Sequence, residues 1–551
     1  MLLKLTQLLA SAYAMIQQTY ASPFNYSQND LVLSPHINWL PECPEGIHQP
    51  KNSTFDCGWL QVPIDHDHYE TGTLSLLIGK HNASNPVDKK GSWIMKLGGP
   101  WLDDVATLGY LLDQMSPKLQ ASFDIVVLNN RGTYNNPISC HSSNISVADL
   151  DRRIWNYTIT SDSLPRLYDL AAYRNSLCHY PKLADYMSTV QSTKDVEWLR
   201  QALGVDKING IGFSAGTILM TKYYQLFTKH VDKLILDGTA VVLDNNLMGI
   251  IRPAPMEKAL KSFFVTCIAA KEHCPLYLKN KRDTVSAMYS AYDELLSSPP
   301  IGLNISMIKL ATWFGVNNGA YYRPFPELCG VKNSPNTWTF YAIALTAAID
   351  QRDPSTLICA FTFFSPDFPK SPNDVSIKTA QTDFTNSVLT KEQWLNWTQS
   401  ACEHFPRLGC ESYIQTLMKA VPGQNTTTQP LWDRELPTSA SVKIMILTNT
   451  IDPNTPMNLA LQLFKTLKPK VATALIVKEV TGHDTYLRMA YKDPCIEDQV
   501  SDFLLEDKMP TRTFCPGKNP FMYHSAQPRI ESKSAASNES FGYTVALVEP
   551  T

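Results

Sequence analysis

A serine flanked by glycines in the middle of the chain constrains the fold more than any other feature. Gly212-Phe213-Ser214-Ala215-Gly216 follows a short apolar run and leads into residues 218–227, whose apolar side chains recur at helical spacing. A strand, a tight glycine turn and a helix together let the backbone pass close to a strained, exposed serine. The pattern predicts a nucleophile at this turn, although an ordinary strand-to-helix turn could have the same spacing by chance.

Strand-like and helical segments alternate around this turn. Apolar or β-rich runs occur at residues 59–64, 73–80, 92–97, 123–128, 231–236, 442–447 and 474–480. Ser192-Thr193-Lys194-Asp195 has the pattern of a capping box and predicts a helix that begins there and stops at Gly204. This alternation predicts a mostly parallel sheet with helices on both faces, preceded by antiparallel strands.

The chain is too long, at 551 residues, for one simple core. We expect a signal peptide at residues 1–21 and a sheet domain formed by residues 22–245 and 438–520. Residues 246–437 have helical segments, Pro-rich joints and no clear strand alternation, so they predict a helical cap inserted into that domain. Residues 521–551 are rich in Ser, Ala and Glu and predict a disordered tail.

An acid and a histidine follow two later strands. Asp452 comes after the strand at 442–447, and His483 comes after the strand at 474–480. Serine, acid and histidine in this chain order are typical of α/β-hydrolases, so we predict that fold with an inserted helical cap. Ser214 would attack a carbonyl, His483 would carry the proton, and Asp452 would orient the imidazole. Asp237 also ends a strand and is the rival acid.

Two backbone amides are candidates for stabilising the oxyanion. The amide of Ala215 begins the predicted helix after the serine, where the positive end of the helix dipole lies. Gly98-Gly99-Pro100 follows the strand at 92–97, and its glycines free backbone amides to face a ligand. We expect Gly99 to supply the second donor.

Three features indicate export from the cell. Met1-Leu2-Leu3-Lys4 and the apolar residues after it are typical of a secretory signal, although a buried amphipathic helix is the alternative. Glycosylation acceptor motifs occur at Asn25, Asn52, Asn82, Asn144, Asn156, Asn304, Asn396, Asn425 and Asn538. The cysteines fall into neighbouring pairs, which are Cys43 and Cys57, Cys140 and Cys178, Cys267 and Cys274, Cys329 and Cys359, Cys402 and Cys410, and Cys495 and Cys515. Local disulfides are the simplest connectivity, but spacing does not decide it.

Composition and motifs argue against several other functions. A formal charge of −3 shows no bias toward nucleic acid. No pair of cysteines has the spacing of a zinc or redox site, and no cofactor is expected. Asp65-His66-Asp67-His68 resembles a metal cluster, yet its place between two strands favours a solvated hairpin loop. No apolar run reaches the length of a membrane span; the longest candidate is 338–349.

Several stretches together resemble a known family. They are residues 57–65 with Val62-Pro63-Ile64-Asp65, Gly98-Gly99-Pro100, residues 123–132, 195–217 and 234–239, Asp452-Pro453-Asn454-Thr455-Pro456, Gly482-His483, and residues 495–515. The chain is similar to the tripeptidyl aminopeptidase-like branch of secreted α/β-hydrolases, in the proline iminopeptidase clan of serine peptidases. The resemblance implies release of short peptides or single residues from free N-termini, with the cap binding the N-terminal amine.

The chain departs from the family pattern on the oxyanion side. Leu97 stands where a His usually precedes the Gly-Gly-Pro, and Trp101 follows it in place of further glycines. We therefore keep two alternatives to an aminopeptidase. One is a carboxylesterase acting on small or lipid-like esters, because one triad serves both leaving groups. The other is a binding protein that kept the triad residues without catalysis.

Overall fold

The computed structural model of the chain describes most of its length. The described residues are 34–522, except for 51–53, 100–101, 114, 141, 143–144, 156–161, 245–252, 318–328, 330, 332–333, 335, 365–373, 385–388, 411–420, 422–430 and 487–492. The predicted signal peptide lies outside them, as do the acceptor motifs at Asn25, Asn52, Asn144, Asn156, Asn425 and Asn538. The predicted tail lies outside them except for Phe521 and Met522, where the prediction of disorder was wrong: both belong to a 3-10 helix, and Phe521 is buried in an apolar cluster. Of the remaining acceptors, Asn396 is exposed, while Asn82 and Asn304 are half-buried.

One sheet of ten strands organises the described residues. The strands are β1 (Ile37–Trp39), β2 (Phe55–Pro63), β3 (Thr73–His81), β4 (Gly91–Lys96), β5 (Phe123–Leu128), β6 (Ile208–Phe213), β7 (Val231–Asp237), β8 (Lys443–Ile451), β9 (Ala472–Thr481) and β10 (Phe514–Cys515). Their order across the sheet is β1-β2-β3-β5-β4-β6-β7-β8-β9-β10. The pairs formed by β1, β2 and β3 are antiparallel, and every pair from β5 to β10 is parallel.

Fifteen α-helices accompany the sheet in the described part of the chain. They are α1 (Asp104–Leu112), α2 (Pro117–Ser122), α3 (Val147–Trp155), α4 (Leu164–Ser176), α5 (Thr189–Ala202), α6 (Ala215–Phe227), α7 (Pro253–Ala270), α8 (Val285–Ser297), α9 (Ile305–Asn317), α10 (Thr337–Asp350), α11 (Ser355–Phe364), α12 (Asp374–Asp383), α13 (Lys391–His404), α14 (Met457–Leu467) and α15 (Pro494–Leu505). Short 3-10 helices lie at Tyr69–Thr71, Pro86–Asp88, Lys182–Tyr186, Thr228–His230, Lys271–His273 and Pro520–Met522.

The central strands are buried on both faces because successive side chains point to opposite sides of the sheet. On β7, Leu234 and Leu236 belong to one apolar cluster, which includes Val196 of α5. Ile235, between them, belongs to the cluster on the other face with Val500 of α15. The α/β-hydrolase fold predicted from the alternation of strands and helices is confirmed.

The chain between β7 and β8 has a core of its own. Its helices from α7 to α11 carry an apolar cluster that includes Phe263, Trp338 and Tyr341. Ile377 of α12 and Trp394 of α13 belong instead to a cluster with residues of α3 and α4. The ring of Phe263 lies 5.2 Å from that of Trp338 and 5.3 Å from that of Tyr341, in edge or tilted contact. Residues 338–349, the longest apolar run, therefore form most of a buried helix, α10.

Every strand predicted from the sequence is present, but two details of the prediction were wrong. Helix α5 begins at Thr189 rather than within residues 192–195, because Ser188 accepts a hydrogen bond from the Gln191 amide and caps the helix. The strand at 474–480 is the last one that the sequence predicts, but β10 follows it and pairs with β9. A two-residue strand has too little pattern to be recognised in sequence.

The loop after β2 joins it to β3 in a hairpin, as the sequence predicts, but only part of it is solvated: Asp67 and His68 are exposed, whereas Asp65 and His66 are not. His66 Nε2 lies 2.8 Å from Asp195 Oδ1, and Asp65 accepts a hydrogen bond from the Gln191 side chain. Asp195 is also held by Arg131, whose Nε and Nη2 lie 2.8 and 2.6 Å from its two carboxylate oxygens. This part of the loop is therefore buried against α5, where it closes a charged network.

All twelve cysteines are paired. The disulfides join Cys43 to Cys57, Cys140 to Cys178, Cys267 to Cys274, Cys329 to Cys359, Cys402 to Cys410 and Cys495 to Cys515. The simplest connectivity, between near neighbours in sequence, is the one that forms. Each bridge closes a short loop and restricts the unfolded chain.

No helix in the described ranges is both long enough and apolar enough to cross a bilayer.

The buried Arg131–Asp195 pair yields a stability prediction. Burial opposes ionisation of Asp195, but the charge of Arg131 and the hydrogen bonds from His66 and Arg131 together outweigh it and lower the pKa of the carboxyl. Arg131→Met would leave a buried charge uncompensated and should reduce the free energy of unfolding by about 3–5 kcal/mol. Urea unfolding would measure the loss.

The control is Lys391→Met, which breaks an ion pair with Asp169 on the surface. Both of these side chains are exposed, so this variant should lose less than about 1 kcal/mol. Equal losses for the two variants would contradict the structural role assigned to Arg131.

Candidate active site

The turn that carries Ser214 requires glycine on both sides. A β-carbon on Gly212 would lie 2.3 Å from the carbonyl oxygen of Gly216, and one on Gly216 would lie 2.3 Å from that of Lys96. Ser214 itself has φ 52° and ψ −122°, a conformation that is strained for a residue with a side chain. The strand, turn and helix that the sequence predicts are thus formed by β6, this turn and α6.

Hydrogen bonds from neighbouring elements hold the strained turn. The Ser214 amide donates to the carbonyl oxygen of Asp237 at the end of β7, at 2.9 Å. The Ser214 carbonyl oxygen accepts from the amide and the hydroxyl of Thr217, at 2.9 and 2.5 Å. These hydrogen bonds hold the backbone of the turn in one conformation. Surrounding contacts of this kind allow a strained conformation to persist in a folded chain.

The segment after β4 packs directly against the serine turn. A β-carbon on Gly98 would lie 2.7 Å from the Phe213 carbonyl oxygen and 3.2 Å from Ser214 Cβ. Gly99 follows with φ 33°. Ala215 is the first residue of α6. One candidate oxyanion donor, Gly99, therefore follows the glycine that borders Ser214, and the other, Ala215, follows Ser214 itself. Trp101 lies outside the described residues.

Asp452, the predicted triad acid, is buried at the end of β8 and contacts His483. The imidazole Nδ1 lies 3.0 and 3.1 Å from the two carboxylate oxygens. The Asp452 carboxylate also accepts hydrogen bonds from the amides of Asn454 and Thr455, at 2.9 and 2.8 Å. The hydroxyl of Thr455 donates to it at 2.8 Å. Several donors thus stabilise a buried negative charge beside the imidazole.

His483 is held by its backbone as well as its ring. Its amide donates to the carbonyl oxygen of Asn317, the last residue of α9, at 2.9 Å. The side-chain amide of Asn449 donates to the carbonyl oxygens of Gly482 and Asp484 on either side, both at 2.8 Å. The loop that carries His483 is therefore held by Asn449 of β8 and by Asn317 of α9.

The contact between the Ser214 hydroxyl and the imidazole of His483 stays a prediction. The second ring nitrogen, Nε2, lies 3.5 Å from Oδ1 of Asp484. Hydrogen bonds between nucleophile and base are often long or absent until substrate binds.

Asp237, the rival acid, serves the backbone rather than the imidazole. Its carboxylate accepts hydrogen bonds from the amides of Thr485 and Tyr486, at 2.7 and 2.5 Å. Burial, reinforced by the nearby charge of Asp484, raises the pKa of Asp237 to about 8. A carboxyl that resists ionisation is a poor partner for an imidazolium, which favours Asp452.

Two residues at the site were not predicted. Thr455 bonds to Asp452 and lies 3.1 Å from His483 Nδ1 through its hydroxyl. The sequence did contain a signal for Thr455, because this residue belongs to the Asp-Pro-Asn-Thr-Pro stretch that carries the family resemblance. Asn317 acts through its backbone carbonyl, and no sequence pattern reports such a contact.

Within the described ranges, no group of three or more His, Cys, Asp or Glu side chains is arranged to hold a metal ion. Of residues 65–68, which resemble a metal cluster in sequence, His66 contacts Asp195 and Asp65 accepts from Gln191, while His68 lies exposed beside Glu70.

Comparisons with known proteins agree with this geometry. Residues 108–265 match the model of the alpha/beta hydrolase fold family, and residues 397–515 match that of the TAP-like protein family. Serine protease Hip1 of Mycobacterium tuberculosis is 22% identical over 476 residues, which cover 82% of this chain and 86% of that protein. Tripeptidyl aminopeptidase of Streptomyces lividans is 24% identical over 216 residues, 37% of this chain and 38% of that protein.

Among solved structures, proline iminopeptidase of Mycobacterium smegmatis is 12% identical in sequence, and the match covers 81% of this chain and 98% of that protein. Its TM-score of 0.32 is too low to support a functional statement. The family models and the relatives in sequence carry the assignment. These matches support an α/β-hydrolase peptidase family for the chain, and they identify it as a serine hydrolase.

Proposed function

We propose that the chain is a secreted serine peptidase that cleaves peptide bonds near free N-termini through Ser214, His483 and Asp452. The observation that carries the proposal is the contact of both Asp452 carboxylate oxygens with His483 Nδ1, in a buried site at the ends of parallel strands. The relatives named as a serine protease and a tripeptidyl aminopeptidase support peptides as substrates. The six disulfides support an oxidising compartment.

The proposed reaction is acyl transfer in two steps. Ser214 Oγ attacks the carbonyl carbon of the scissile bond while His483 Nε2 takes the hydroxyl proton. The tetrahedral intermediate then expels the amine, which receives that proton from the imidazolium, and leaves an acyl group on Ser214. Water repeats the sequence and releases the acid. This mechanism requires the Ser214 hydroxyl to turn toward Nε2 when substrate binds.

Asp452 would keep the proton of the neutral imidazole on Nδ1 and leave Nε2 free to act as base. The negative charge on the developing oxyanion would be held by the amides of Gly99 and Ala215. Because the amides of Asn454 and Thr455 and the hydroxyl of Thr455 already fix the carboxylate, the imidazole need not reorganise during the reaction. Such preorganisation is the main source of catalytic power in acyl transfer.

We further propose that residues 246–437 form a cap that limits access to the site. Two contacts support a close junction with the strand ends: the His483 amide donates to Asn317 of α9, and Ser262 Oγ of α7 lies 2.7 Å from Thr481 Oγ1. A cap at this place would select substrates by the length and charge of their N-terminal part. Residues 22–245 and 438–520 would then form the catalytic domain.

The substrate class can be tested directly. We expect aminoacyl or tripeptidyl amides to be hydrolysed by the wild type and not by Ser214→Ala, because the variant has no nucleophile. Release of amine from a chromogenic amide series, beside a matched series of acyl esters, would measure the preference. Ester cleavage with no amide cleavage would replace the peptidase by a carboxylesterase, and a folded wild type active on neither would favour a binding protein.

The choice of triad acid yields a second prediction. Asp452→Asn should reduce kcat by about 10⁴, because an amide in place of the carboxylate favours the wrong imidazole tautomer. Asp237→Asn should reduce it far less, since Asp237 contacts backbone amides. The melting temperature of each variant controls for folding. A large loss for Asp237→Asn with none for Asp452→Asn would show that the wrong carboxylate was chosen.

The raised pKa of Asp237 predicts a dependence of stability on pH. The unfolded carboxyl releases its proton near pH 3.9, whereas the folded one keeps it to about pH 8. The wild type should therefore lose stability relative to Asp237→Asn as pH rises from about 4 to 8. Melting temperatures over this range measure the difference. Asp232→Asn, on the same strand but partly exposed, is the control, and an identical pH profile for both variants would refute the expectation.

A further inference from the structure

A fully buried ion pair lies beside the backbone segment that carries the candidate oxyanion donor. Lys96 is the last residue of β4 and Asp104 is the first of α1, so they stand on either side of residues 97–103. Lys96 Nζ donates to Asp104 Oδ2 and to the Leu128 carbonyl oxygen of β5, each at 2.6 Å. Their side chains are 3% and 0% exposed.

The same segment touches the nucleophile turn through its backbone. The carbonyl oxygen of Lys96 occupies the space next to Gly216, and Gly98 borders Ser214 Cβ. The Leu102 amide donates to the carbonyl oxygen of Gly99 at 3.0 Å, which links the two described residues on either side of 100 and 101. A displacement of Lys96 or of the start of α1 would therefore move Gly99 relative to Ser214.

The start of α1 is fixed by two further hydrogen bonds. Asp103 caps the helix by accepting from the Ala106 amide, at 2.9 Å. Asn129, just after β5, accepts from the Val105 amide through its side chain, also at 2.9 Å. The end of β4, the start of α1 and the end of β5 thus meet at Lys96 and Asp104.

Stability alone is a weak reason for such a pair. Burial raises the pKa of Asp104 to about 6 even though Lys96 opposes the shift, so the desolvation of the carboxylate is incompletely compensated. Buried ion pairs can often be replaced by apolar side chains of similar volume without loss of stability. An apolar pair would not reproduce the directional hydrogen bond that joins Lys96 to Asp104 across residues 97–103.

We propose that Lys96 and Asp104 are positioning residues that hold the Gly99 amide in place to stabilise the oxyanion formed at Ser214. The proposal rests on the proposed serine hydrolase mechanism and extends it to residues that contact neither substrate nor triad. Loss of one oxyanion donor typically lowers turnover by about 10² to 10³, whereas ground-state binding is little affected. Disturbing the pair should therefore lower kcat much more than it changes KM.

The decisive variant replaces both charges by apolar side chains, Lys96→Met with Asp104→Leu. We expect it to fold with a melting temperature near that of the wild type, yet to lose about 10² in kcat with KM nearly unchanged. Arg282→Met is the control. It breaks a pair with Asp350 between α10 and the loop before α8, so it should change the melting temperature and leave kcat intact.

A fluorophosphonate probe separates this proposal from the mechanism on which it rests. Labelling of the wild type and not of Ser214→Ala is expected, and a folded wild type that is not labelled would refute the mechanism itself. If the wild type is labelled and the double variant reacts and turns over within about threefold of it, the positioning role is wrong.

A second variant keeps the test decisive if the double variant does not fold. Asp104→Asn weakens the bond to Lys96 with little change in volume. We expect its kcat to fall below that of the wild type at pH 8 and the gap to narrow below pH 6, where the wild-type carboxyl is itself protonated. Equal kcat values at pH 8 would overturn the proposal.

Discussion

The contact between Gly216 and the carbonyl oxygen of Lys96 is the constraint on which the site depends. A β-carbon at position 216 would lie 2.3 Å from that oxygen, so the nucleophile helix can approach β4 only because the residue is glycine. The same approach brings Gly98 against Ser214 Cβ. The serine turn and the segment that follows β4 consequently form one packed unit of backbone, and a shift in either is felt by the other.

A second group of fixed bonds serves the histidine. Asp452 accepts from its own loop, Asn449 holds the carbonyl oxygens on both sides of His483, and Asn317 accepts from the His483 amide. Because these groups are buried, each bond acts in a medium of low dielectric, where it is stronger and where its loss would cost more. The site is thus rigid on the acid and histidine side.

The parts of the site that could be predicted are those with a local signature. Ser214 has a turn that only glycines allow, and Asp452 and His483 each follow an apolar strand, so their order and roles could be inferred from spacing. Asp195 shows the opposite case. Its sequence context resembled a helix cap, yet its carboxylate binds Arg131, which is remote along the chain. A local pattern cannot distinguish a carboxylate that caps a helix from one that is buried beside a distant arginine.

By itself, the sequence determined strands β2 to β9, the place of the serine turn and the order in which the three proposed triad residues follow one another, because periodicity and turn chemistry are local. Only the tertiary structure decided that Asp452 rather than Asp237 contacts the imidazole, that Asn317 binds the histidine loop, and that Lys96 and Asp104 join the ends of one segment. These outcomes depend on which strands become neighbours and on what each side chain meets when it is buried. Both are properties of the packed chain.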